Sequence, residues 1–489
     1  MSFGFRARLR AAMQYDYDAI VIGSGPNGLC AAVALAQAGH SVLIMEARDT
    51  LGGGLRSAEL LQQGYLHDVC SAVHPLGVLS PYMRGLPLEQ HGLTWAYPKV
   101  SAAHPLDDGR AVLLSRSVQE TAAQLGVDER AYRRLFEPLL REPELLLADL
   151  LGPLSIPRRP IAFTRFGLRA LRSTWGLAHG LFETPEARAL FAGCGAHAIL
   201  PFDKWFTAAV GLLFCLTGHM TDWPMAQGGS VSIARALESY FRSLGGEVRT
   251  GMHVRALSQL PSSRVVLFDL APRQVIEIAG DALPARYRAR LARYNYGPAV
   301  FKLDYVLSGK IPWRAPQCAE ASTVHVGGTL PEIARSERAA WDGQVAEAPF
   351  VMVCQQSHFD ATRAPAGKHT GYAYCHVPHA SDVDMTSAVE RQIERFAPGF
   401  RDLIVERRAW FPADIERENA ACVGGVIAGG SADLTQLFTR PVARLDPYRT
   451  PNPRLFLCGA STPPGGGVHG MCGYHAAHSA LKRLRSGRV

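Results

Sequence analysis

The sequence of 489 residues lacks an apolar run long enough to cross a bilayer. The longest run, residues 205–216, is well short of the about 20 residues that a transmembrane helix needs. Residues 1–13 carry arginines but no long apolar segment of the kind found in secretory signals. We therefore expect a cytoplasmic protein with a basic N-terminal arm. Peripheral contact of that arm with an anionic membrane is the alternative.

Closely spaced cysteine pairs are also absent. None of the ten cysteines has the C-x-x-C spacing of zinc ribbons or the C-x₄-C spacing of flavin-linked redox disulfides. This argues against disulfide exchange, and scattered unpaired cysteines are typical of a reducing compartment. The pairs His376/His379 and His475/His478 lack a convincing third ligand, so no metal site is predicted.

Lysine is scarce, with six lysines among 51 basic residues and a net charge of +8. No basic block carries interleaved aromatic residues, so nucleic-acid binding is not expected. The apolar fraction of 47% and the charged fraction of 19% are typical of an ordinary folded protein. The length suggests a core of roughly two to four domains.

A dinucleotide-binding pattern lies near the start of the chain. The apolar run 19–22 predicts a buried parallel strand, and Gly-Ser-Gly-Pro-Asn-Gly at 23–28 follows it directly. Residues 29–38 predict a helix, and 41–45 predict a second strand that ends at Glu46. The glycines allow a tight turn, a close approach to pyrophosphate and close helix packing, and the acid can bind both ribose hydroxyls of FAD or NAD. The predicted contacts are Gly23, Gly25, Pro26, Asn27, Gly28 and Glu46.

A second glycine motif, residues 52–56, follows the acid. It resembles a motif of the flavoprotein superfamily that includes amine oxidases, protoporphyrinogen oxidase and phytoene desaturase. In that superfamily the motif runs along the pyrophosphate and ribityl chain, and its arginine supports the phosphates. The resemblance therefore implies FAD as the cofactor. The contacts that it implies are Ala47, Arg48, Gly53, Gly54, Leu55 and Arg56.

A third glycine-rich segment lies near the end of the chain. Residues 454–458 predict a strand, residues 459–470 form a glycine-rich loop, and a helix is predicted from about Met471. Glycines let backbone lie against a flat ring, and the helix N-terminus offers positive dipole to the N1/O2 edge of a flavin. The segment resembles the closing motif of phytoene desaturase-like oxidoreductases, and a packed loop at a domain seam is the alternative. The predicted contacts are Gly459, Ala460, Gly467, Val468 and Met471.

Two segments between the glycine motifs are similar to the same superfamily. Residues 222–230 resemble its Pro-x₃-Gly-Gly segment, where the chain returns to the cofactor domain, and the resemblance implies that Val254 contacts adenine through its backbone. Residues 296–305 resemble the strand that re-enters the substrate domain. There Lys302 occupies the position of an amine oxidase lysine that holds a water beside flavin N5. A surface ion pair with Asp304 on the same strand face is the alternative.

Histidines and apolar helices supply the remaining candidates. His74 follows the second glycine motif and His469 lies in the closing loop, so both join Lys302 as candidate catalytic residues. A structural role for each histidine is the alternative. In this superfamily the helices of the middle of the chain wall the substrate site, and His197 lies near that predicted wall. The predicted substrate contacts are Trp205, His219 and Trp223.

The resemblance to phytoene desaturase-like FAD-dependent oxidoreductases covers nearly the whole chain. It implies a mixed α/β fold in which a Rossmann-type, glutathione reductase-like FAD domain is interleaved with a substrate domain of mixed β-sheet and helices. The expected FAD domain comprises residues 14–85, 225–298 and 415–489. The expected substrate domain comprises residues 86–224 and 299–414.

The implied activity is hydride transfer between a small hydrophobic substrate, similar to a polyene or isoprenoid, and flavin N5. The sequence has no second intact nucleotide fold, so oxygen or a membrane quinone is the expected reoxidant. A flavin amine oxidase that releases hydrogen peroxide is one alternative. A non-enzymatic FAD-bearing partner protein is the other.

Overall fold

The computed structural model describes residues 15–153 and 156–486, and the predicted arm 1–13 lies outside these ranges. Within them the strands form two large sheets and two small two-stranded sheets. The strands are β1 (Tyr17–Ile22), β2 (Val42–Met45), β3 (Ser57–Glu59), β4 (Leu66–Asp68), β5 (Trp95–Ala96), β6 (Val100–Pro105), β7 (Ala111–Leu114), β8 (Met225–Ala226), β9 (Glu247–Arg249), β10 (Ser263–Phe268), β11 (Ala299–Leu307), β12 (Ala321–Val326), β13 (Val351–Cys354), β14 (His369–Val377), β15 (Ile404–Trp410) and β16 (Leu455–Leu457).

Helices cover both large sheets and fill the middle of the chain. In chain order they are α1 (Pro26–Gln37), α2 (Pro75–Val78), α3 (Val118–Ala123), α4 (Glu129–Phe136), α5 (Pro143–Leu150), α6 (Pro160–Ala170), α7 (Thr174–Leu181), α8 (Pro185–Ala196), α9 (Thr207–Thr221), α10 (Val231–Ser243), α11 (Pro272–Ala279), α12 (Ala285–Leu291), α13 (Leu330–Trp341), α14 (Thr386–Phe396), α15 (Pro412–Glu418), α16 (Leu434–Leu437) and α17 (Met471–Arg485).

The first large sheet is parallel and has the strand order β16-β10-β1-β2-β9. Both of its faces are buried. Ala19 and Val21 of β1 pack with α1, α10 and α17, whereas Ile20 and Ile22 pack with α11 and α12. This alternation follows from the two-residue period of a strand, and a parallel sheet covered on both faces explains the continuous apolar run in the sequence.

The second large sheet is mixed and has the strand order β15-β11-β14-β13-β12-β6-β7. Only the β6–β12 pair is parallel, and the other neighbours are antiparallel. Phe301, Leu303 and Val353 lie in a core cluster that includes residues of α14 on one face. Residues such as Met352 and Tyr374 belong to the opposite face, which is turned toward the interior cavity.

The predicted class, a mixed α/β fold with one parallel and one mixed sheet, is confirmed. The strands of the parallel sheet all fall in the three segments expected for the FAD domain, and those of the mixed sheet fall in the two expected for the substrate domain. The parallel sheet is thus built from stretches that are far apart in the chain. Among the described residues, no helix is both long and apolar enough to cross a membrane.

Candidate functional site

A cavity of about 840 Å³ lies at the carboxyl ends of β1, β2 and β10, where open α/β sheets bind ligands. From there it reaches one face of the mixed sheet at Met352 and Tyr374. Most of the residues that the sequence assigns to the cofactor or to catalysis line this cavity. They are Gly23, Gly25, Pro26, Asn27, Glu46, Ala47, Arg48, Gly53, Gly54, Arg56, His74, Val254, Gly459, Ala460, Gly467, Val468 and His469.

The glycine turn between β1 and α1 is too crowded for side chains. Gly23 adopts a φ of +95°, and a Cβ at Gly28 would lie 2.2 Å from the carbonyl oxygen of Gly23. Gly28 therefore allows α1 to pack closely against the turn, as predicted, and it does not line the cavity. Residues 23–27, which precede it, do line the cavity. A Cβ at Gly25 would lie 2.6 Å from a carboxylate oxygen of Asp269.

Asp269 is a site residue that the sequence reasoning missed. It directly follows β10, and its Oδ2 accepts a hydrogen bond from the Gly28 N–H at 2.8 Å. Burial raises its pKa to about 7, with the negative charge of Glu46 as a smaller cause. The signal in the sequence is an acid placed directly after the apolar run of residues 263–268, as Glu46 is placed after β2.

Glu46 is held rigidly at the end of β2. Its Oε2 accepts from the Ser24 N–H at 3.0 Å and from Ser24 Oγ at 2.5 Å, and its Oε1 accepts from the Arg48 N–H at 2.9 Å. A carboxylate oxygen has two lone pairs, so only Oε1 keeps capacity for another donor. This geometry offers one hydrogen bond to a ribose, whereas the sequence suggested two. Val254 lines the same part of the cavity from a loop that follows β9.

Arg48, which precedes the second glycine motif, and Arg56 at its end meet at the end of α15. The guanidinium groups of Arg48 and Arg56 both donate to the backbone carbonyl oxygen of Glu418. They also pair with its carboxylate, at 3.8 and 3.1 Å respectively. Nε of Arg56 is buried without a hydrogen-bond partner among the described residues. Leu55, in contrast, is fully buried in the core beside α1 and does not line the cavity.

The closing segment reaches the cavity through its loop and not through the first residue of α17. Met471 packs with Leu76, Leu147 and Leu151, so the predicted cofactor contact at Met471 does not face the cavity. The helix is fixed against α1, since a Cβ at Gly473 would lie 1.8 Å from the carbonyl oxygen of Asn27. The two ends of the predicted cofactor domain therefore hold one wall together.

His469 carries an unused donor in this wall. Its Nδ1 accepts a hydrogen bond from the Met471 N–H at 3.0 Å. Burial lowers the pKa of His469 to about 4, so the ring is neutral and its proton is on Nε2. Nε2 is buried and makes no well-aligned hydrogen bond in the part of the chain that the structure describes, although the backbone of Gly465 and Gly466 lies near the ring. A buried N–H of this kind is costly unless a bound group accepts from it.

These features fit FAD. Arginines and helix-terminal amides at one end of the cavity suit a pyrophosphate, and the glycine-lined loop with the free His469 donor suits a flat, oxygen-bearing ring. The unpartnered Nε of Arg56 and Oδ1 of Asn27 are further polar atoms that a ligand would satisfy. Of the residues present, Glu46, Arg48, Arg56 and the closing loop would hold the cofactor.

Comparison with known proteins agrees with this geometry. A family model described as an NAD(P)-binding Rossmann-like domain matches residues 21–84. The rat pyridine nucleotide-disulfide oxidoreductase domain-containing protein 2 is 26% identical over 96% of this chain and 94% of its own. A lycopene-forming phytoene desaturase from Paracoccus sp. is 23% identical over 93% of this chain and 95% of its own.

The chain is thus similar over almost its whole length to phytoene desaturase-like flavoproteins. Cyclohexylamine oxidase from Brevibacterium oxydans has the same fold, with a TM-score of 0.56 at 16% identity over 97% of this chain and all of that one. The predictions of an oxidoreductase and of FAD as its cofactor are confirmed by these relationships.

In this flavoprotein His74 is held in place by its neighbours. Ser230 Oγ donates to the Ser71 carbonyl oxygen at 2.6 Å, so it accepts from Nε2 of His74, 2.8 Å away. Burial lowers the pKa of His74 to about 4, which keeps the ring neutral. His74 lines the cavity, but its proton is committed to Ser230, and its catalytic role stays a prediction.

Lys302 is buried and does not line the cavity of the flavoprotein. Its Nζ donates to Asp304 at 2.5 Å and to the Asp68 carbonyl oxygen at 3.1 Å, and it lies over the ring of Tyr372 at 4.5 Å. Lys302 and Asp304 do share one strand face. The alternative of a surface ion pair is nevertheless wrong, because both side chains are almost completely buried.

Of the three predicted substrate contacts, Trp223 alone lines the cavity. Trp205 is 66% exposed, because it lies in the loop before α9. His219 is turned toward Tyr132 and the Ser115 carbonyl oxygen, to which its ring nitrogens bond at 2.8 and 2.9 Å. His197, which the sequence placed near the substrate wall, does line the cavity.

The flavoprotein also contains a thiol pair that cysteine spacing could not reveal. Cys70 and Cys422 both line the cavity, and each thiol perturbs the pKa of the other. The Cys422 thiol lowers the pKa of Cys70, and the positive charges of Lys302 and Arg56 act in the same direction. Two cysteines far apart in sequence thus meet beside the second glycine motif, where a Cβ at Gly54 would lie 3.8 Å from the Cys70 sulfur.

Proposed function

We propose that this protein transfers hydride between a hydrophobic substrate and FAD. One observation carries the proposal: the cofactor end and an apolar chamber belong to a single cavity. The chamber walls come from α5, α9 and the mixed sheet. Its apolar lining residues include Leu150, Leu151, Ile199, Val210, Leu213, Phe214 and Trp223.

The distribution of charge supports an uncharged substrate. The charged residues in the described lining of the cavity are Glu46, Arg48, Arg56, Asp269, Arg417, Glu418 and Arg440. None belongs to the lining contributed by α5, α9 or the mixed sheet. A cationic amine would find no carboxylate partner there, whereas an apolar chain would be dehydrated favourably. This favours a polyene-like or isoprenoid substrate over an amine.

In this reaction the protein itself positions the reactants and excludes water from them. When bound, FAD supplies the hydride acceptor or donor at its N5 atom. The side chains of His74 and His469 line the cavity as neutral groups, and the apolar residues exclude water. The parallel sheet is the only dinucleotide fold among the described residues, so we propose oxygen or a membrane quinone as the reoxidant.

Anaerobic reduction of the purified holoprotein tests this proposal. We expect polyenes or other apolar chains to bleach the oxidised flavin band, and primary amines to leave it unchanged. Bleaching by amines alone would favour the amine oxidase alternative. A non-enzymatic role would be favoured by two negative results together. No small molecule would bleach the flavin band, and the reduced flavin would transfer no hydride to the apolar substrates of the relatives. A later admission of oxygen or a soluble quinone identifies the reoxidant.

A further inference from the structure

One polar ring interrupts the apolar wall of the chamber. His197 directly follows α8 and lines the cavity. Its ring stacks on Phe214, with 4.2 Å between ring centroids, and meets the edge of Trp223 at 5.6 Å. In a wall that contacts only hydrocarbon, a histidine costs more free energy than an aliphatic side chain of similar size, because its polar atoms must be desolvated.

A second imidazole lies behind His197. His325 of β12 is fully buried, and its Nε2 is 3.0 Å from Nε2 of His197. Burial lowers the pKa of His197 to about 3, with the charge of His376 as a smaller cause, and burial lowers the pKa of His325 as well. Both rings are therefore neutral near pH 7. In such a contact one Nε2 donates and the other accepts.

The surroundings of His325 decide which ring donates. Its Nδ1 is buried without a partner among the described residues, and a Cβ at Gly193 would lie only 2.6 Å from it. A buried N–H without an acceptor is rarer in proteins than an acceptor without a donor. The proton of His325 is therefore assigned to Nε2, which donates to His197. His197 then carries its own proton on Nδ1.

A tyrosine adds a second underused donor on the same sheet face. His325, Met352 and Tyr374 lie side by side on β12, β13 and β14. Among the described residues, the Tyr374 hydroxyl bonds only to the sulfur of Met352 at 3.0 Å, and a thioether is a weak acceptor. Tyr374 and Met352 both line the cavity. Nδ1 of His197 likewise has no hydrogen-bond partner within residues 15–153 and 156–486.

We propose that the chamber binds an oxygen atom of the substrate, a carbonyl or a hydroxyl, through the Nδ1–H of His197. His325 is a positioning residue that fixes the tautomer of His197. The inference rests on the proposed function and narrows it: the substrate is an oxygenated apolar molecule and not a plain hydrocarbon. A hydrocarbon would leave the Nδ1–H facing carbon, which weakens binding relative to an oxygenated analogue.

A pair of isosteric ligands tests this inference. Methyl nonyl ketone and the alkene in which a methylene group replaces its oxygen differ at one atom. Their dissociation constants are measured on the oxidised holoprotein from the shift of the flavin spectrum. We expect the ketone to bind about tenfold more tightly than the alkene, the effect of one buried hydrogen bond.

Variants of His197 link the preference to this residue. His197→Leu should abolish the preference for the ketone, with the ketone weakened at least about tenfold and the alkene nearly unchanged. His197→Asn should retain part of the preference, because its amide nitrogen occupies a position close to that of Nδ1. His179→Leu is the matched control, since His179 is exposed and its ring bonds to the carbonyl oxygen of Trp175 on its own helix.

Three results would overturn the inference. Equal affinity of the wild-type protein for the two ligands would contradict it while leaving hydride transfer from apolar substrates intact. A ketone preference that survives in His197→Leu would place the oxygen elsewhere. If neither ligand perturbs the flavin spectrum, the apolar chamber is not a substrate site, and the proposed function fails together with the inference.

Discussion

Oδ2 of Asp269 lies 2.8 Å from the backbone nitrogen of Gly28, at the N-terminal end of α1. Amides at this end of a helix are the groups that a bound phosphate contacts. The protein's own acid therefore occupies the edge of an anion site, beside Glu46 and in the lining of the cavity. Because burial raises the pKa of Asp269 to about 7, its charge changes near neutral pH.

We predict that the affinity of the apoprotein for FAD falls as the pH rises through about 7. Above this pH the ionised Asp269 repels the pyrophosphate, and below it the protonated acid does not. Titration of the apoprotein with FAD at several pH values measures the effect. Asp269→Asn should bind FAD with an affinity that changes little over the same range. An equally steep pH dependence in the variant would contradict the prediction.

The same group affects the stability of the apoprotein. A carboxyl whose pKa is raised by folding stabilises the folded state below its usual pKa of 3.8, and this contribution is lost as the pH rises to about 7. Asp269→Asn removes the buried charge. Above pH 7 we expect the variant apoprotein to be more stable than the wild type by about 1 kcal/mol or more, measured by urea unfolding.

Glu46 should contribute to FAD affinity through both the turn and the ribose. Glu46→Ala removes two hydrogen bonds to Ser24 and the remaining acceptor capacity of Oε1. We expect FAD to bind at least about tenfold more weakly. Asp49→Ala is a matched control, because Asp49 is exposed and does not line the cavity. Unchanged affinity in Glu46→Ala would show that the acid does not contact the cofactor.

The contact between α17 and α1 has no room for a side chain. Gly473→Ala places a methyl group 1.8 Å from the Asn27 carbonyl oxygen, so the helices must separate. We expect a loss of about 3 kcal/mol in the free energy of unfolding and weaker retention of FAD. Gly85→Ala is the control, since a Cβ there meets no atom within 4 Å. Similar melting temperatures for the two variants would refute this account of the contact.

A double variant separates the structural and catalytic roles of Lys302. Lys302→Met leaves Asp304 charged and unpaired in the interior, which should destabilise the protein by about 3–5 kcal/mol. Adding Asp304→Leu removes the unpaired charge and should restore most of the stability. If the stable double variant still shows flavin reduction at the wild-type rate, Lys302 has no part in the chemistry, and its catalytic assignment is wrong.

The cofactor half of the site could be predicted because its signals are local. The strand, glycine turn, helix and acid of residues 19–46 are consecutive, so residues close in sequence determine the position of each one in the site. Asp269 was missed because it lies 241 positions from Gly28 and meets it only in the folded sheet. The pairing of Cys70 with Cys422 was missed for the same reason, since spacing along the chain does not report such proximity.

Residue type was a weaker guide in the substrate half. Aromatic or histidine side chains at Trp205, His197 and His219 look alike in the sequence, but one is exposed, one lines the chamber and one is bonded inside a helical layer. Their surroundings are set by how α8 and α9 pack on the mixed sheet. That packing depends on many apolar contacts at once, and no short motif encodes it.

The packing of α17 on α1 also sets an order of events during synthesis. The N-terminal turn is made before the mixed sheet, and β16 and the closing loop are made after it. A nascent chain therefore carries an incomplete site that cannot bind its ligand until the closing loop has been made. Flavin loading should follow synthesis of the closing loop, and a chain truncated before this loop should be colourless.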